Sequence, residues 1–144
     1  MSSSLPINFF SEDISFTLKE KIHIRNWLKQ AIRAENKKLK EITFIFCSDN
    51  YLLEINRQYL RHDTFTDIVT FDNSETEEYI TGDIFISIER VRENASKYAV
   101  NERDELHRVM IHGTLHLIGY TDKKASEKAL MTKKEDEYLG LRGF

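Results

Sequence analysis

The sequence lacks several features that mark particular classes of protein. Cys47 is the single cysteine among 144 residues, so no disulfide can form within the chain and a reducing compartment is expected. Residues 1–8 hold no basic region followed by an apolar core, so no secretory signal is expected. No apolar run approaches the roughly 20 residues that a membrane-spanning helix needs. These absences together predict a cytoplasmic protein with no membrane partner.

The overall charge is also small. The formal net charge of −3 argues against indiscriminate attraction to nucleic acid. The distribution is uneven, however, because residues 19–40 are mainly basic, whereas residues 72–83 carry acidic groups and no basic ones. A polyanion would respond to this asymmetry rather than to the total charge. The hydrophobic content of 40% is ordinary for a globular protein, and the length predicts one domain over residues 1–144.

Apolar periodicity predicts four strands and about five helices. The strands are expected at residues 7–10, 42–47, 68–71 and 81–87. The helices are expected after Thr17, from Ser48 or Asp49 to Leu60, over residues 89–98, after Asn101, and from Ser126 to Gly140. A polar connection over residues 61–67 leads into the third strand. This mixture of short strands and helices indicates an α+β or α/β domain.

The first helix carries two patterns of side chains. Thr17 and Glu20 match a capping box, in which each side chain accepts a hydrogen bond from a free amide at the helix start. The apolar face repeats every 3.6 residues, with Ile24, Trp27, Leu28, Ala31 and Ile32. Basic residues four apart follow the other side: Lys21, Arg25, Lys29, Arg33 and Lys37. Such a stripe is either a solvated face or a contact surface for RNA phosphates.

Other side chains are assigned to the core. The β-rich strand at residues 42–47 has little polar alternation, which predicts a central strand covered on both faces. Its Cys47 is interpreted as a small buried hydrophobe. The second helix is expected to turn Leu52, Ile55 and Tyr59 inward, and the last is marked by Leu130 and Tyr138. His107 is interpreted as structural, because it lies on another side of its helix from His112.

The most informative stretch is residues 109–122, where two histidines lie four residues apart in an apolar, helix-forming run. This spacing places the imidazoles of His112 and His116 on one helix face, a turn apart. Gly119 offers a helix stop, after which Asp122 can return as a third ligand. Alternatively, the histidines are satisfied core residues and the aspartate belongs to a turn. The combination favours an open three-ligand metal site, which suits zinc.

The sequence His-Gly-Thr-Leu-His-Leu-Ile-Gly-Tyr at residues 112–120 resembles the signature of the YbeY family of metal-dependent rRNA endoribonucleases. In that family the signature continues with Asp-His, whose histidine is the third zinc ligand. This chain has Thr121 and Asp122 instead, so Asp122 stands where the family usually has histidine. A carboxylate oxygen is an acceptable zinc ligand, although the change affects affinity and metal preference.

A second segment is similar to the family's Asn-containing helix that leads into Thr-Asp-Val-Leu-Ser-Phe. The matching residues are Asn56, Thr66, Asp67 and Phe71. Phe65 occupies the position of the usual proline. The motif Gly-Asp-Ile at residues 82–84, with a following Ser87, also resembles the family. In this motif, Asp83 either supports the metal site by contacting a ligand residue or holds a bend.

The family's functional arginine falls on Leu60 when the segments are matched without a gap. Arg61 is adjacent and Arg57 lies one turn earlier, so either could supply a guanidinium to the reaction. The other interpretation is that both are exposed cations at a helix end. Arg61 is therefore the candidate catalytic residue, and Arg57 joins Lys21, Arg25, Lys29 and Arg33 as candidate RNA-binding residues.

The resemblance covers roughly residues 54–139 and implies a single α+β domain. It implies a mixed four-stranded sheet packed with about five helices, and a metal site on a central helix. It also implies one Zn²⁺ bound by His112, His116 and Asp122, a substrate of rRNA or ribosomal particles, and no role for DNA. The expected function is cleavage of rRNA phosphodiesters in rRNA maturation or ribosome quality control.

Two other functions are compatible with a metal-binding helix. Zinc peptidases with paired histidines place a glutamate directly after the first histidine as general base, and this chain has Gly113 there. A metal-stabilised module that binds RNA or ribosomes would more often have four protein ligands than three. The sequence therefore favours the nuclease and leaves these two as alternatives.

Overall fold

The computed structural model describes residues 6–61 and 64–144, which form four strands and five helices. The strands are β1 (Ile7–Ser11), β2 (Lys38–Cys47), β3 (Ile68–Asp72) and β4 (Tyr79–Ser87). The helices are α1 (Lys21–Ala34), α2 (Asp49–Leu60), α3 (Ile88–Lys97), α4 (Glu102–Ile118) and α5 (Ala125–Gly140). The chain ahead of residue 6, where no secretory signal was expected, and residues 62–63 of the predicted polar connection lie outside the described ranges.

The four strands form one mixed sheet in the order β1-β2-β4-β3. β1 runs parallel to β2, β2 runs parallel to β4, and β3 is antiparallel to β4. This confirms the predicted single α+β domain with a mixed four-stranded sheet. β2 is central, as predicted, but it begins four residues before the predicted start. Its first residues alternate charged with apolar side chains and are mostly exposed, which hid them from a search for buried strands.

Helix α4 is the central helix of the domain. It contacts α1, α3 and α5 as well as β3 and β4. Most of its residues are buried, among them Leu106, Val109, Met110, Leu115 and Leu117. The Oδ1 atom of Asn101 accepts a hydrogen bond from the amide of Asp104 at 2.7 Å and so caps the helix, as predicted.

Two glycines allow α4 to lie close to the sheet. A Cβ added at Gly113 would be 2.8 Å from Cδ1 of Ile68, and one added at Gly82 would be 2.6 Å from Cδ2 of Leu117. Only a residue without a side chain permits such an approach. Gly113 is therefore a packing residue against Ile68 and Ile84.

The predicted capping box at the start of α1 is wrong. The helix is preceded by Glu20 in a left-handed conformation, with φ 63°, and no side chain caps it. The carboxylate of Glu20 instead pairs with Arg103 of α4 at 2.8 Å, a contact between residues distant in sequence. The predicted apolar face of α1 is buried as expected. No helix in the described part of the chain is both long and apolar enough to cross a membrane.

The predicted inward face of α2 is only partly correct. Leu52 is buried, Ile55 is half-buried and Tyr59 is 64% exposed. Leu53 and Asn56 complete the buried face instead. Ser48 caps this helix by accepting a hydrogen bond from the amide of Tyr51. In α5, similarly, Tyr138 is buried as predicted, whereas Leu130 is exposed and Met131 takes the core position.

Cys47 is fully buried at the end of β2, which confirms its interpretation as a core residue. Its thiol donates to the carbonyl of Ile86 at 3.5 Å. Burial, with the nearby charge of Asp13, raises the pKa of the thiol to about 12. A thiol with such a pKa is neutral and poorly reactive at physiological pH.

His107 is buried between the rings of Trp27 and Phe144, with both ring centroids 5.6 Å away. Its Nδ1 atom accepts a hydrogen bond from the guanidinium of Arg142 at 2.8 Å. Burial and the charge of Arg142 lower its pKa from 6.5 to about 4. The confined neutral ring confirms that His107 is structural.

This depressed pKa predicts a loss of stability in mild acid. Between pH 6.5 and pH 4 the unfolded chain binds a proton at His107 and the folded chain does not, so protonation favours unfolding. The contribution of His107 is fully present above pH 6.5 and falls by about 2 kcal/mol between pH 7 and pH 5. Urea unfolding at pH 7 and at pH 5 measures this fall in the free energy of unfolding. A His107→Gln variant should lose the part of this pH dependence that comes from His107. An equal pH dependence of the free energy of unfolding in both proteins would contradict the low pKa of His107.

Candidate metal centre

His112 and His116 project from one face of α4 toward the loop that follows the helix. Their Nε2 atoms lie 3.0 Å apart. The Oδ2 atom of Asp122 lies 3.3 Å from Nε2 of His112 and 3.4 Å from Nε2 of His116. The structure thus brings together the three residues that the spacing of the motif predicted, and each presents one potential ligand atom to a common point.

The spacing of these three atoms suits a small tetrahedral ion. Zinc bonds of about 2.0–2.1 Å at tetrahedral angles separate neighbouring ligand atoms by about 3.3 Å. The three measured separations of 3.0, 3.3 and 3.4 Å are close to this value. Two imidazole nitrogens and one carboxylate oxygen are also a donor set that zinc accepts. The residues therefore fit a metal ion with one coordination position left open.

The end of α4 determines where Asp122 lies. Gly119 ends the helix with φ 125°, a conformation that L side chains rarely adopt, and its amide donates to the carbonyl of Leu115. The chain then turns so that the carbonyl of Tyr120 lies 3.0 Å from Nδ1 of His116. A proton on Nδ1 satisfies this carbonyl and leaves the lone pair of Nε2 directed at the candidate metal position.

His112 is held in the same way by a residue that the sequence did not reveal. Its Nδ1 atom lies 2.6 Å from Oε2 of Glu135 on α5. The other carboxylate oxygen of Glu135 accepts from Arg108 at 2.8 Å, and Arg108 also binds Asp136 at 2.6 Å. Burial disfavours the charged form of His112, but the hydrogen bond and charge of Glu135, with the charge of Asp122, outweigh it and raise the pKa of this imidazole.

A second carboxylate, the half-buried Glu35 at the end of α1, anchors the ligand loop. Its Oε1 atom accepts from the hydroxyl of Tyr120 at 2.6 Å. Its Oε2 atom accepts from the hydroxyl of Tyr138 and, at 3.2 Å, from Lys134, both on α5. Burial alone would raise the pKa of Glu35, but these three donors outweigh it and lower the pKa. Glu35 therefore fixes Tyr120, and with it the turn that carries Asp122, to two helices.

A cleft of about 330 Å³ opens beside the three candidate ligands. Its lining is mostly charged and consists of Asp67, Glu105, Arg108, Val109, His112, Asp122 and Glu135. The open coordination position and the cleft together leave room for a substrate group next to the metal. Neither Asp67 nor Glu105 was given a role from the sequence.

The two candidate catalytic arginines lie near the end of α2. Arg61 follows the helix in a left-handed conformation, with φ 56°, and its side chain is exposed. Arg57 is also exposed and pairs with Glu54 at 2.9 Å. Nearby, the buried side chain of Asn56 donates to the carbonyl of Thr64 at 2.9 Å and so fastens the segment that leads to β3. Neither arginine lines the cleft beside the histidines.

The basic stripe of α1 divides into two parts. Arg25 is half-buried, donates to the carbonyl of Ile7 at 2.9 Å and covers the ring of Phe9 at 4.9 Å, so part of its guanidinium is used within the fold. Lys29 and Arg33 lie further along α1 and line a groove of basic character. Lys37 and Lys38 contribute to the same groove, whereas Lys21 is exposed at the start of the helix.

Asp83 lies in β4 and contacts the start of the loop between β3 and β4. Its Oδ2 atom accepts from the side-chain amide of Asn73 at 3.2 Å, just beyond the end of β3. It does not line the cleft beside the histidines. Of the two interpretations of this residue, the bend is the one with a contact to support it.

Comparison with known proteins identifies the family of this chain. A family model described as Endoribonuclease YbeY matches residues 7–142. A protein of that name from Cytophaga hutchinsonii is 51% identical over 138 residues, which cover 96% of both chains. Another from Flavobacterium psychrophilum is 54% identical over 132 residues, covering 92% of this chain and 94% of the relative. The chain belongs to the YbeY family.

A solved structure has a similar fold. The solution structure of TM1509 from Thermotoga maritima is similar to this fold with a TM-score of 0.65 and 26% sequence identity. The similarity covers 92% of this chain and 86% of that chain. The resemblance drawn from residues 112–120 is thus confirmed, and with it membership of a family of nucleases.

Glu135 is the main residue of this YbeY centre that sequence reasoning missed. It lies four residues after Met131 and three before Tyr138, on the buried face of α5. An acidic residue in such a position is rarely buried without a partner. The position of Glu135 on the apolar face of the predicted helix could therefore have indicated a buried carboxylate. It could not have identified His112 as the partner of that carboxylate.

Replacing Glu135 by glutamine is expected to weaken metal binding about 10- to 100-fold. The hydrogen-bonded carboxylate fixes the orientation of His112 and makes its Nε2 atom a better donor, and such supporting residues typically have effects of this size. Competition with a chelating dye measures the affinity. Glu137→Gln, on an exposed position of the same helix, is the control and should bind as the wild type does. Equal affinity in all three proteins would show that Glu135 serves packing alone.

Proposed function

We propose that this chain is a zinc-dependent endoribonuclease that hydrolyses phosphodiester bonds of ribosomal RNA. One Zn²⁺ is bound by His112, His116 and Asp122. The observation that carries the proposal is the convergence of three ligand atoms, 3.0–3.4 Å apart, beside an open cleft in a chain of the YbeY family. A zinc ion there would lower the pKa of a bound water toward 7 and polarise a phosphoryl oxygen.

The protein's own side chains prepare this chemistry. Glu135 and the carbonyl of Tyr120 accept from the Nδ1 atoms of the two histidines, so both Nε2 lone pairs are free for a metal. Asp122 contributes a negative charge where a third histidine would be neutral. This charge strengthens the binding of a divalent cation but reduces its power to acidify water, because the cation is partly neutralised.

The cationic residues serve the RNA in this proposal. Arg61 stabilises charge on the phosphoryl group. Arg57 is the alternative, and it is the second choice because its guanidinium is already paired with Glu54. Lys21, Arg25, Lys29 and Arg33 contact phosphates of the same RNA along α1. Lysine and arginine gain affinity for a nucleic acid by releasing its condensed counterions, so this binding should weaken with salt.

The substrate context follows from the family resemblance. The enzyme acts on rRNA in ribosomal particles, in rRNA maturation or ribosome quality control, in the cytoplasm. Residues 1–144 form one metallo-endoribonuclease domain for this purpose.

The peptidase alternative lacks its general base. The position after the first histidine is Gly113, whose Cα faces Ile68 and Ile84 so closely that a side chain would not fit without rearrangement. The alternative of a metal used only for structure is disfavoured because the three ligands leave one side of the ion open to the cleft.

One assay tests the proposed function. Protein stripped of metal by a chelator is compared with protein reloaded with Zn²⁺, on a structured RNA and on casein. The reloaded protein should cleave the RNA and leave casein intact, and the stripped protein should do neither. RNA cleavage that is unchanged by removal of the metal, or metal-dependent cleavage of casein alone, would overturn the proposal.

A further inference from the structure

The cleft beside the candidate metal centre extends along α4 past His112. Glu105 lies seven residues before His112, which is two helical turns, so both residues occupy the same face of α4. Asp67, in the segment just before β3, lines the same cleft from the side of the sheet. The cleft therefore has a second acidic region beyond the one formed by Asp122.

Glu105 is a mostly buried residue whose carboxylate oxygens open into the cleft. The residue is 7% exposed, yet no group in residues 6–61 or 64–144 donates a hydrogen bond to its side chain. Glu135, which is buried to a similar degree in the same cleft, is bound by both Arg108 and His112. Glu105 therefore presents a carboxylate with no protein donor to whatever occupies the cleft.

Asp67 is half-buried, and its carboxylate accepts from its own backbone amide. Within the described ranges no other side chain donates to this carboxylate, and Arg90, whose charge acts on it, is held by Asp49 at 2.7 Å. Asp67 and Glu105 are close enough for the charge of one to disfavour the charge of the other. Burial is the larger cause in both, and it raises the pKa of each carboxyl group above its ordinary value.

The groups that line the cleft are mostly negatively charged. Asp67, Glu105, Asp122 and Glu135 all face it, against the single guanidinium of Arg108, which already binds Glu135 and Asp136. A divalent ion at the histidines would leave the cleft negative. An RNA phosphate entering it would then be repelled, because like charges interact strongly where water is scarce.

We propose that Asp67 and Glu105 bind a second divalent cation of the magnesium type, which holds a phosphate of the RNA next to the zinc. This inference rests on the proposed function for its substrate, although the cation site itself does not. Mg²⁺ commonly binds proteins through one or two carboxylates and completes its shell with waters and substrate phosphates. Two carboxylates that face a cleft and receive no hydrogen bond from another side chain provide the protein's share of such a shell.

The site can be tested with Mn²⁺ as the probe, because Mn²⁺ accepts the same oxygen ligands and is visible by electron paramagnetic resonance. Protein is first loaded with one equivalent of Zn²⁺, which binds nitrogen ligands more tightly than Mn²⁺ does. Titration should then show one further Mn²⁺ bound per chain. Glu105→Gln and Asp67→Asn, which keep the size of each side chain, should each weaken this binding at least tenfold and leave the bound Zn²⁺ in place.

Glu102→Gln is the matched control. Glu102 is an exposed glutamate on the same helix, paired with Arg92 at 3.5 Å, and its replacement should leave both metals bound. Absence of the further Mn²⁺ at neutral pH, or equal Mn²⁺ binding in all variants, would overturn the second site.

The same samples separate this inference from the proposed function. If the protein binds Zn²⁺ and cleaves RNA but takes up no Mn²⁺, only the second site is wrong. If Zn²⁺ does not bind, the proposed function is wrong, while Mn²⁺ uptake that is lost in Glu105→Gln still supports the second site.

Discussion

Replacement of His116 by alanine is expected to abolish stable zinc binding and to lower RNA cleavage by more than about a hundredfold. The substitution removes one of three ligand atoms, which is a larger loss than removal of a residue that only supports a ligand. The remaining pair, His112 and Asp122, lie 3.3 Å apart and cannot enclose the ion. Bound metal is measured by elemental analysis after gel filtration, and cleavage by the release of fragments from a structured RNA.

Two variants control for effects on the fold. His23→Ala removes an exposed histidine that stacks on Phe144 at 5.4 Å, away from the centre, and should retain both metal and activity. Asp122→His replaces the carboxylate by a third imidazole and should bind zinc at least as well as the wild type. Undiminished cleavage by His116→Ala would refute the assignment of the active site. Loss of metal in Asp122→His would show that the loop does not direct residue 122 at the histidines.

Replacement of Gly82 by alanine is expected to destabilise the protein by about 3 kcal/mol, the upper end of the usual cost of overpacking. The added methyl group would lie 2.6 Å from Cδ2 of Leu117 and 2.6 Å from the carbonyl oxygen of Phe71. Leu117 could rotate away, but the carbonyl belongs to β3, which is paired with β4 at this point. Either the two strands or helix α4 must therefore move. Urea denaturation followed by circular dichroism measures the loss.

Gly140→Ala provides the comparison, because nothing lies within 4 Å of a Cβ at that position near the end of α5. Alanine favours a helix over glycine by up to about 1 kcal/mol, so this variant should be neutral or slightly more stable. Equal stability of the Gly82 and Gly140 variants would mean that the sheet and α4 can separate at little cost. In that case the close approach at Gly82 would not be what positions α4.

Local patterns in the sequence were sufficient to predict most of the helices and strands. The apolar face of α1 and the buried stripe of α4 follow from their 3.6-residue periods, and Ser48 and Asn101 cap helices as their side chains predict. The failures occurred where distant residues compete with local ones. Glu20 was available for a capping box, but the guanidinium of Arg103 binds its carboxylate instead. Tyr59 had helical spacing and yet lies exposed, because the sheet contacts the neighbouring face of α2.

The candidate site shows the same division. The spacing of His112, His116 and Asp122 predicted their convergence, since all three lie within one helix and the turn that follows it. Glu135 could not be assigned to His112 from the sequence, because their contact depends on how α5 packs against α4. The order of the strands and the placement of Asp67 and Glu105 in one cleft likewise depend on tertiary structure.

The anchoring of the ligand turn by Glu35 has a consequence for kinetics. Tyr120 can leave its carboxylate partner only by breaking its hydrogen bond to Glu35, a group that Tyr138 and Lys134 also hold in place. Outward movement of Asp122, two residues further on, should therefore require local opening of this contact. Exchange of a bound ion with the surrounding buffer should consequently be slow, and low concentrations of urea should accelerate it well before the protein unfolds as a whole.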